Sequence, residues 1–361
     1  MLFSIDQDSG NRIIGWLMPN NPSVVPRIRV VAGGEVKGVF KATQYRPLLK
    51  EQGLHDTGVC GFALDEKLFK GLANAKDLAI FDEDTDLLIY RRRPVAKLVE
   101  LKLFRIETRL LRLGALNKIL ESRFQMNYSG LELLPEETVI SILAIPFTNS
   151  IYATGRVFVR AFEHQSRDRG FISAILIRDP FYELAERLLA LKWVGGTQGA
   201  HVMPYIGKPG QAAARALRHV DLASVKSIED CLIDLDREPA VVLINTLTRQ
   251  LATKGSIDTL DKFSVSAALD TLSEIDVVGL SSDIENFTRL LDTVLKADEP
   301  IGPISLPVSP RVEDISVLLR NAARIGQLIG ADIELYDAVV RAFAAVDRQE
   351  TELRRPMTTG A

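Results

Sequence analysis

Only two cysteines occur in the 361 residues, Cys60 and Cys231, far apart and without paired spacing. That excludes a disulfide framework and a thiolate metal site, and it fits a reducing cytoplasm. Histidine is nearly as scarce: His55, His164, His201 and His219 form no pair at metal-ligand spacing, and no metal is expected. No uninterrupted apolar run approaches the roughly 18 residues that cross a bilayer, and Met1 to Asp8 puts no basic region ahead of an apolar core. Neither a membrane span nor export is therefore expected. A net charge of −3 gives no basic footprint, so nucleic acid is not an expected partner. Missing too are a Walker lysine, a Gly-x-Ser-x-Gly elbow and a Ser-His-Asp order. The cluster Asp82-Glu83-Asp84 with Asp86 lacks the glycine of a calcium loop and reads as a charged turn.

What remains is a globular chain, 47% hydrophobic and long enough for two or three domains. Over residues 1–94 short apolar runs alternate with turn residues, at Arg12 to Leu17, Arg27 to Ala32, Val36 to Ala42, Cys60 to Leu64, Leu78 to Phe81 and Leu87 to Arg91. About six or seven antiparallel strands would make a small β-sandwich. Gly33-Gly34 marks a hairpin, because glycine reaches positive φ without a Cβ clash.

The period then changes. Leu103, Ile106, Leu110, Leu113, Leu116, Leu120 and Phe124 fall on one helical stripe, and Lys102, Arg105, Arg109 and Arg112 on a second. Residues 95–130 accordingly read as an amphipathic connecting helix with a solvated basic face. Sharper alternatives are a coiled coil that makes a homodimer, or a face for anionic lipid or glycan that would hold a cytoplasmic protein against the inner membrane.

Residues 131–347 alternate strand-like and helix-like segments, which implies a parallel sheet flanked by helices. Strands are expected at Val139 to Ile145, Ile172 to Ile177 and Ala240 to Leu243. Helices are expected at Tyr152 to Phe162, Phe181 to Lys192, Pro209 to Arg218, Val225 to Leu235, Ser264 to Leu272, Ile284 to Leu295, Val312 to Ile329 and Ile333 to Val346. Glu299 to Pro310 is a proline-rich loop, and residues 348–361 form a polar tail.

Two corners carry the functional reading. In the first, the apolar run ends at Pro146, and Phe147-Thr148-Asn149-Ser150 leads into the expected helix from Tyr152. In the second, Ile175-Leu176-Ile177 ends in Arg178-Asp179-Pro180. A charged residue at a strand's carboxyl end stands where open α/β sheets bind ligands, and small polar residues at a helix start suit phosphate.

These corners resemble the two phosphate-holding segments of sulfotransferases that use phosphoadenosine phosphosulfate. Pro146, Thr148 and Ser150 match the first loop, while Phe147, Asn149 and Ile151 replace its cation, its glycine and a hydroxyl residue. Arg178 matches the arginine that holds the cofactor's 3′-phosphate, with Glu186 in place of the family's serine eight residues on. Asn245-Thr246-Leu247-Thr248-Arg249-Gln250-Leu251, Asp276 to Leu280 with Phe287 and Leu290, and Asp332 to Tyr336 with Phe343 resemble later segments of bacterial carbohydrate sulfotransferases. Residues 1–94 resemble a β-sandwich accessory domain of bacterial glycan-modifying proteins.

The resemblance implies an α/β fold with a P-loop-like sheet, preceded by the sandwich and the connecting helix. It implies Thr148, Asn149, Ser150, Arg178 and Arg249 as cofactor-binding residues and a carbohydrate acceptor. From the residues themselves, the candidate general base is His164 with Glu163 beside it, against the alternative of an ordinary surface histidine, and His201, in the glycine-rich loop Gly195 to Gly199 and beyond, stands in a segment flexible enough for a lid. Two functions stay open: sulfate transfer from phosphoadenosine phosphosulfate to a sugar hydroxyl, or a catalytically inactive relative acting as a glycan-binding or assembly partner. Each corner also reads as ordinary structure, the first as a capped turn and the second as a strand-end ion pair.

Overall fold

The computed structural model describes residues 1–94, 98–296 and 299–353, with side chains to residue 345. Expectations for 95–97 and for 354–361 of the polar tail lie outside the described residues.

Alternating apolar and polar residues build two antiparallel sheets at the N-terminus. The first contains β1 (Leu2–Asp8), β2 (Arg12–Met18), β6 (Val59–Asp65) and the short β5 (Gln44–Tyr45), in the order β1-β2-β6-β5. The second runs β4-β3-β7-β8, from β3 (Arg27–Ala32), β4 (Glu35–Lys41), β7 (Leu78–Asp82) and β8 (Leu88–Arg92). A five-residue helix, α1 (Pro47–Glu51), lies between β5 and β6. The expected hairpin forms at Gly33 and Gly34, whose φ values are +59° and +81°. Inward residues of both sheets, Phe3, Ile13, Leu17 and Phe62 from one, Ile28, Val30 and Ile80 from the other, share one buried cluster.

The second half holds a parallel sheet of five strands: β9 (Lys102–Ile106), β10 (Met126–Ser129), β11 (Ile151–Gly155), β12 (Phe171–Ile177) and β13 (Val277–Leu280), in the order β10-β11-β9-β12-β13. Counted along the chain, these strands lie in the order 2-3-1-4-5, so the first strand is central. One face carries α2 (Gly114–Arg123) and α11 (Ile284–Leu295), around Leu103, Leu116, Leu120, Leu176 and Phe287. The other carries α3 (Glu136–Leu143), α4 (Val159–Asp168), α9 (Thr246–Ala252), α10 (Ser264–Ser273) and α14 (Gly330–Leu353), around Phe104, Ile106, Ile151 and Ile175. A helical layer made of α5 (Pro180–Gly195), α6 (Gly207–Leu217), α7 (Val225–Ile233), α8 (Arg237–Ala240), α12 (Pro310–Arg320) and α13 (Ala323–Leu328) has its own core around Leu184, Leu188 and Leu191.

Several expectations are corrected. The connecting helix over 95–130 is a strand, β9, then a loop, then α2. All five residues of β9 are buried, as in a central strand covered on both faces, and such a strand loses the alternation that would identify it. The stripe a coiled-coil dimer would use is inside the protein: Leu103, Leu116 and Leu120 are fully buried. Nor is the basic stripe a solvated face: Lys102, Arg105 and Arg109 are buried, and of the four only Arg112 is exposed. Val139 to Ile145 is mostly α3, not a strand; Pro135 and the acidic first turn, Glu136 and Glu137, mark a helix start. Tyr152 to Phe162 is β11 followed by α4, and Ala240 to Leu243 is the end of α8 and a turn. Val312 to Ile329 breaks at Asn321 and Ala322 into α12 and α13.

Candidate functional site at the carboxyl edge of the parallel sheet

Register fixes the edges of the sheet. Ile106 pairs with Gly155 and with Ile175, so the residues that follow β9, β11 and β12 emerge together at the carboxyl edge. There α2 and α4 leave adjacent strands toward opposite faces. Such a switch point opens a crevice in which open α/β sheets hold ligands.

The loop after β9, Glu107 to Leu113, is bound down by buried charge. Arg105, 1% exposed, donates through Nε to the Tyr152 hydroxyl at 2.9 Å and through Nη2 to Glu107 at 2.9 Å and Asn117 at 2.6 Å. The Thr108 hydroxyl donates to the Leu176 carbonyl, and Gln250 donates to the Glu107 carbonyl, each at 2.9 Å. Paired this way, buried charges hold one geometry, whereas losing one partner would leave the other stranded.

A chain of ion pairs then crosses the edge. Arg109 Nη2 donates to Glu186 at 2.8 Å, and Arg178 Nη1 lies 2.8 Å from the other Glu186 oxygen and 3.5 Å from Glu183. Glu183 accepts from Arg187 Nε at 2.7 Å, and Arg187 donates onward to the carbonyls of Thr108 and Val242. A second, shorter chain joins Arg112 to Glu132 at 2.9 Å and Glu132 to Arg156 at 3.3 Å. Burial raises the Glu132 carboxyl, but Arg156 and Arg112 together outweigh burial and hold it below its ordinary value. Arg156 is itself pushed below its ordinary value by burial, with Arg187 and Arg112 adding to the push against Glu132.

Two cavities open near this edge. The larger, about 930 Å³, lies between the loop, the start of α2, α5 and the 304–312 segment. Its walls are apolar at Leu111, Leu113, Leu189, Trp193 and Ile304, and its charged groups are Arg109, Arg112, Lys192, Arg311 and Glu186. No side chain caps α2, whose first residues Gly114 and Ala115 line the cavity. Arg109 is 4% exposed, yet its Nε and Nη1 have no hydrogen-bond partner. The smaller cavity, about 240 Å³, lies on the β11 side and is lined by Glu132, Arg156, Arg187, Arg249 and the start of α6.

The sequence-derived site residues do not converge. Ile151 and Phe171 both pair with Lys102, so Thr148, Asn149 and Ser150 lie just before β11, at the amino edge opposite Arg178. Thr148 and Ser150 bond to Gln125 and bind the start of β10 to that of β11, while Phe147 packs on Tyr90. The corner is helix, turn, strand, so no helix start faces it.

Arg178 does stand at the carboxyl edge, over the Tyr182 ring and paired to Glu186 and Glu183. Its neighbour Asp179 instead caps α5 and meets Arg320 at 2.8 Å. Arg249 lines the smaller cavity and donates to the Asp258 carbonyl at 2.7 Å. His164 is 81% exposed, 3.8 Å from Glu163, and Glu163 borders a separate cleft between α4 and α10. His201 packs edge-on against Trp193, and Gly196, Thr197 and Gln198 of the glycine-rich loop border the larger cavity.

Sequence reasoning places Arg105 and Arg109 on a basic helical stripe and does not single out Glu107 or Arg187. Leu101 to Ile106 running into Glu107-Thr108-Arg109 has the same strand-end form as Ile175 to Asp179, and that form was the available signal. Among the described residues no group of three or more His, Cys, Asp or Glu is placed to hold a metal ion, and no helix is long and apolar enough to cross a membrane. No protein-family model matches the chain, and a search of curated proteins finds no significant match.

Proposed function

We propose that the protein is a sulfotransferase-like, nucleotide-binding protein whose donor, phosphoadenosine phosphosulfate, binds in the 930 Å³ cavity at the start of α2. One observation carries this reading: Arg109 is buried there with two N–H nitrogens unpartnered, beside a helix start that no side chain caps. Free N–H groups, a helix dipole and a guanidinium together form an anion site. A central first strand running into a loop and a helix start is also the arrangement in which P-loop proteins hold phosphate, which supports a P-loop-like fold. The phosphate corner of the sequence reading thereby moves from 146–152 to 107–115. Arg178 acts on the cavity through Glu186. The acceptor is a sugar hydroxyl, and the setting is the cytoplasm.

A second reading, binding without transfer, is favoured by Glu186. Among the described residues it is the one carboxylate lining the cavity, it is held by two arginines, and no histidine lines the cavity with it. A base must be free to take the acceptor's proton.

Calorimetric titration with phosphoadenosine phosphate tests the site. The wild type should bind, and Arg109→Ala should weaken binding by about 10- to 100-fold, the loss of one charge-assisted contact. Absence of heat at millimolar ligand would sink the proposal. Transfer of labelled sulfate to polysaccharide separates the two readings: none from a protein that binds the donor leaves the non-catalytic one.

A further inference from the structure

We infer that the 240 Å³ cavity beside α6 is a second anion site, taking a small ligand that carries one phosphate, sulfate or carboxylate group on an apolar body. It does not rest on the donor reading, because it shares no lining residue with the larger cavity. Three guanidiniums, Arg156, Arg187 and Arg249, line the smaller cavity with one carboxylate, Glu132, which also serves Arg112; behind the wall Glu183 pairs with Arg187 at 2.7 Å, and Asp332 and Asp258 act on Arg249.

Arg187 is bound through Nε, Nη1 and Nη2 to Glu183, Val242 and Thr108, which leaves one N–H on each of Nη1 and Nη2. Arg249 has a donor to spare. Its Nη1 reaches the Asp258 carbonyl, while its buried Nε has no partner. The start of α6 adds to the positive field, because no side chain caps it and Gly207 and Gly210 line the cavity. Burial and neighbouring guanidiniums already disfavour the charge on Arg156, and the opposite charge of a bound anion would offset them.

Leu133, Phe158 and Ile206 give the cavity an apolar wall, which fits a ligand with more than its charged group. Drug-sized sites run to roughly 300–1,000 Å³, so the occupant is compact and not a nucleotide.

Calorimetry on the full chain, with phenyl phosphate as the probe and inorganic sulfate and benzoate as further arms, tests the site. Phenyl phosphate should bind the wild type and Arg109→Ala alike, and Arg249→Ala should bind at least tenfold more weakly with an unchanged far-ultraviolet spectrum. The sulfate and benzoate arms rank the charged group. Undiminished binding by Arg249→Ala, loss of binding in Arg109→Ala, or no heat at all overturns the inference. Crystals of the wild type soaked in selenate keep the test decisive should Arg249→Ala not fold. An anomalous peak between Arg156 and Arg249 supports the site, and its absence there overturns it.

Discussion

Glu132 joins two arginines from different loops, Arg112 after β9 and Arg156 after β11, and its other oxygen accepts the Arg156 backbone N–H at 3.0 Å. Its folded-state pKa is depressed, so its contribution to stability is full above the unfolded value near 4.5 and is lost as pH falls through the folded value. Acidification below that unfolded value should therefore lower the urea midpoint of the wild type. Glu132→Gln should cost about 1.5–3 kcal/mol at neutral pH and flatten this acid limb. Urea titrations at neutral pH and at about pH 4 check it; an acid limb equally steep in the variant would show that other carboxylates carry it. Glu186 illustrates the limit of reading one residue at a time. In sequence it is a carboxylate eight residues after Arg178, set to repel a phosphate. In space it bridges Arg178 to Arg109, a residue 77 positions away, and no local pattern encodes that partnership.

Among the elements, β9 decides the fold, and Arg105 is its test. On a solvated helix face, replacing an arginine changes stability by about 0.5 kcal/mol or less. Inside β9, Arg105→Met strands Glu107 and removes a donor from Tyr152 and Asn117, so a loss of about 3–5 kcal/mol is expected from the urea midpoint. A loss under about 1 kcal/mol would restore the helix reading.

The elements legible in the sequence are those whose residue pattern has one clean reading. β2, β3, β6, β7, β8, β12, α5 and α11 all lie where alternation, an apolar run or helical spacing places them. β9 and β11 are buried throughout, and α3 carries the largely apolar run Val139 to Leu143, so in all three strand and helix look alike without their neighbours. The candidate site was half legible for the same reason. Arg178 ends a recognisable strand, whereas Arg109 follows a strand that reads as helix.

At the scale of the molecule, the N-terminal sheets and the parallel sheet share one apolar core, which runs from Met1 and Phe3 through Ile80 and Tyr90 to Met126, Val139 and Ile175. Polar bonds cross the same junction: Tyr128 donates to the Leu88 carbonyl at 3.0 Å, Gln125 to the Arg91 carbonyl at 2.6 Å, and the Met1 amine to Thr138 at 3.0 Å. Tyr90 is central there, its ring 5.9 Å from that of Phe147 and its hydroxyl 2.6 Å from Asp8. Folding of either half alone would leave this surface in water, so the two should unfold as one cooperative unit. The two tryptophans make the test direct, because Trp16 lies in β2 and Trp193 in α5. Trp193→Phe leaves fluorescence that reports the N-terminal sheets, and Trp16→Phe leaves fluorescence that reports the α/β half. Urea transitions of the two variants should coincide after correction for each substitution's own effect. Adding Tyr90→Ala should then move both by the same amount, about 3–5 kcal/mol for a buried aromatic. Two separated transitions, or a shift confined to the Trp16 signal, would mean that the halves fold independently and that the junction is only a docking contact.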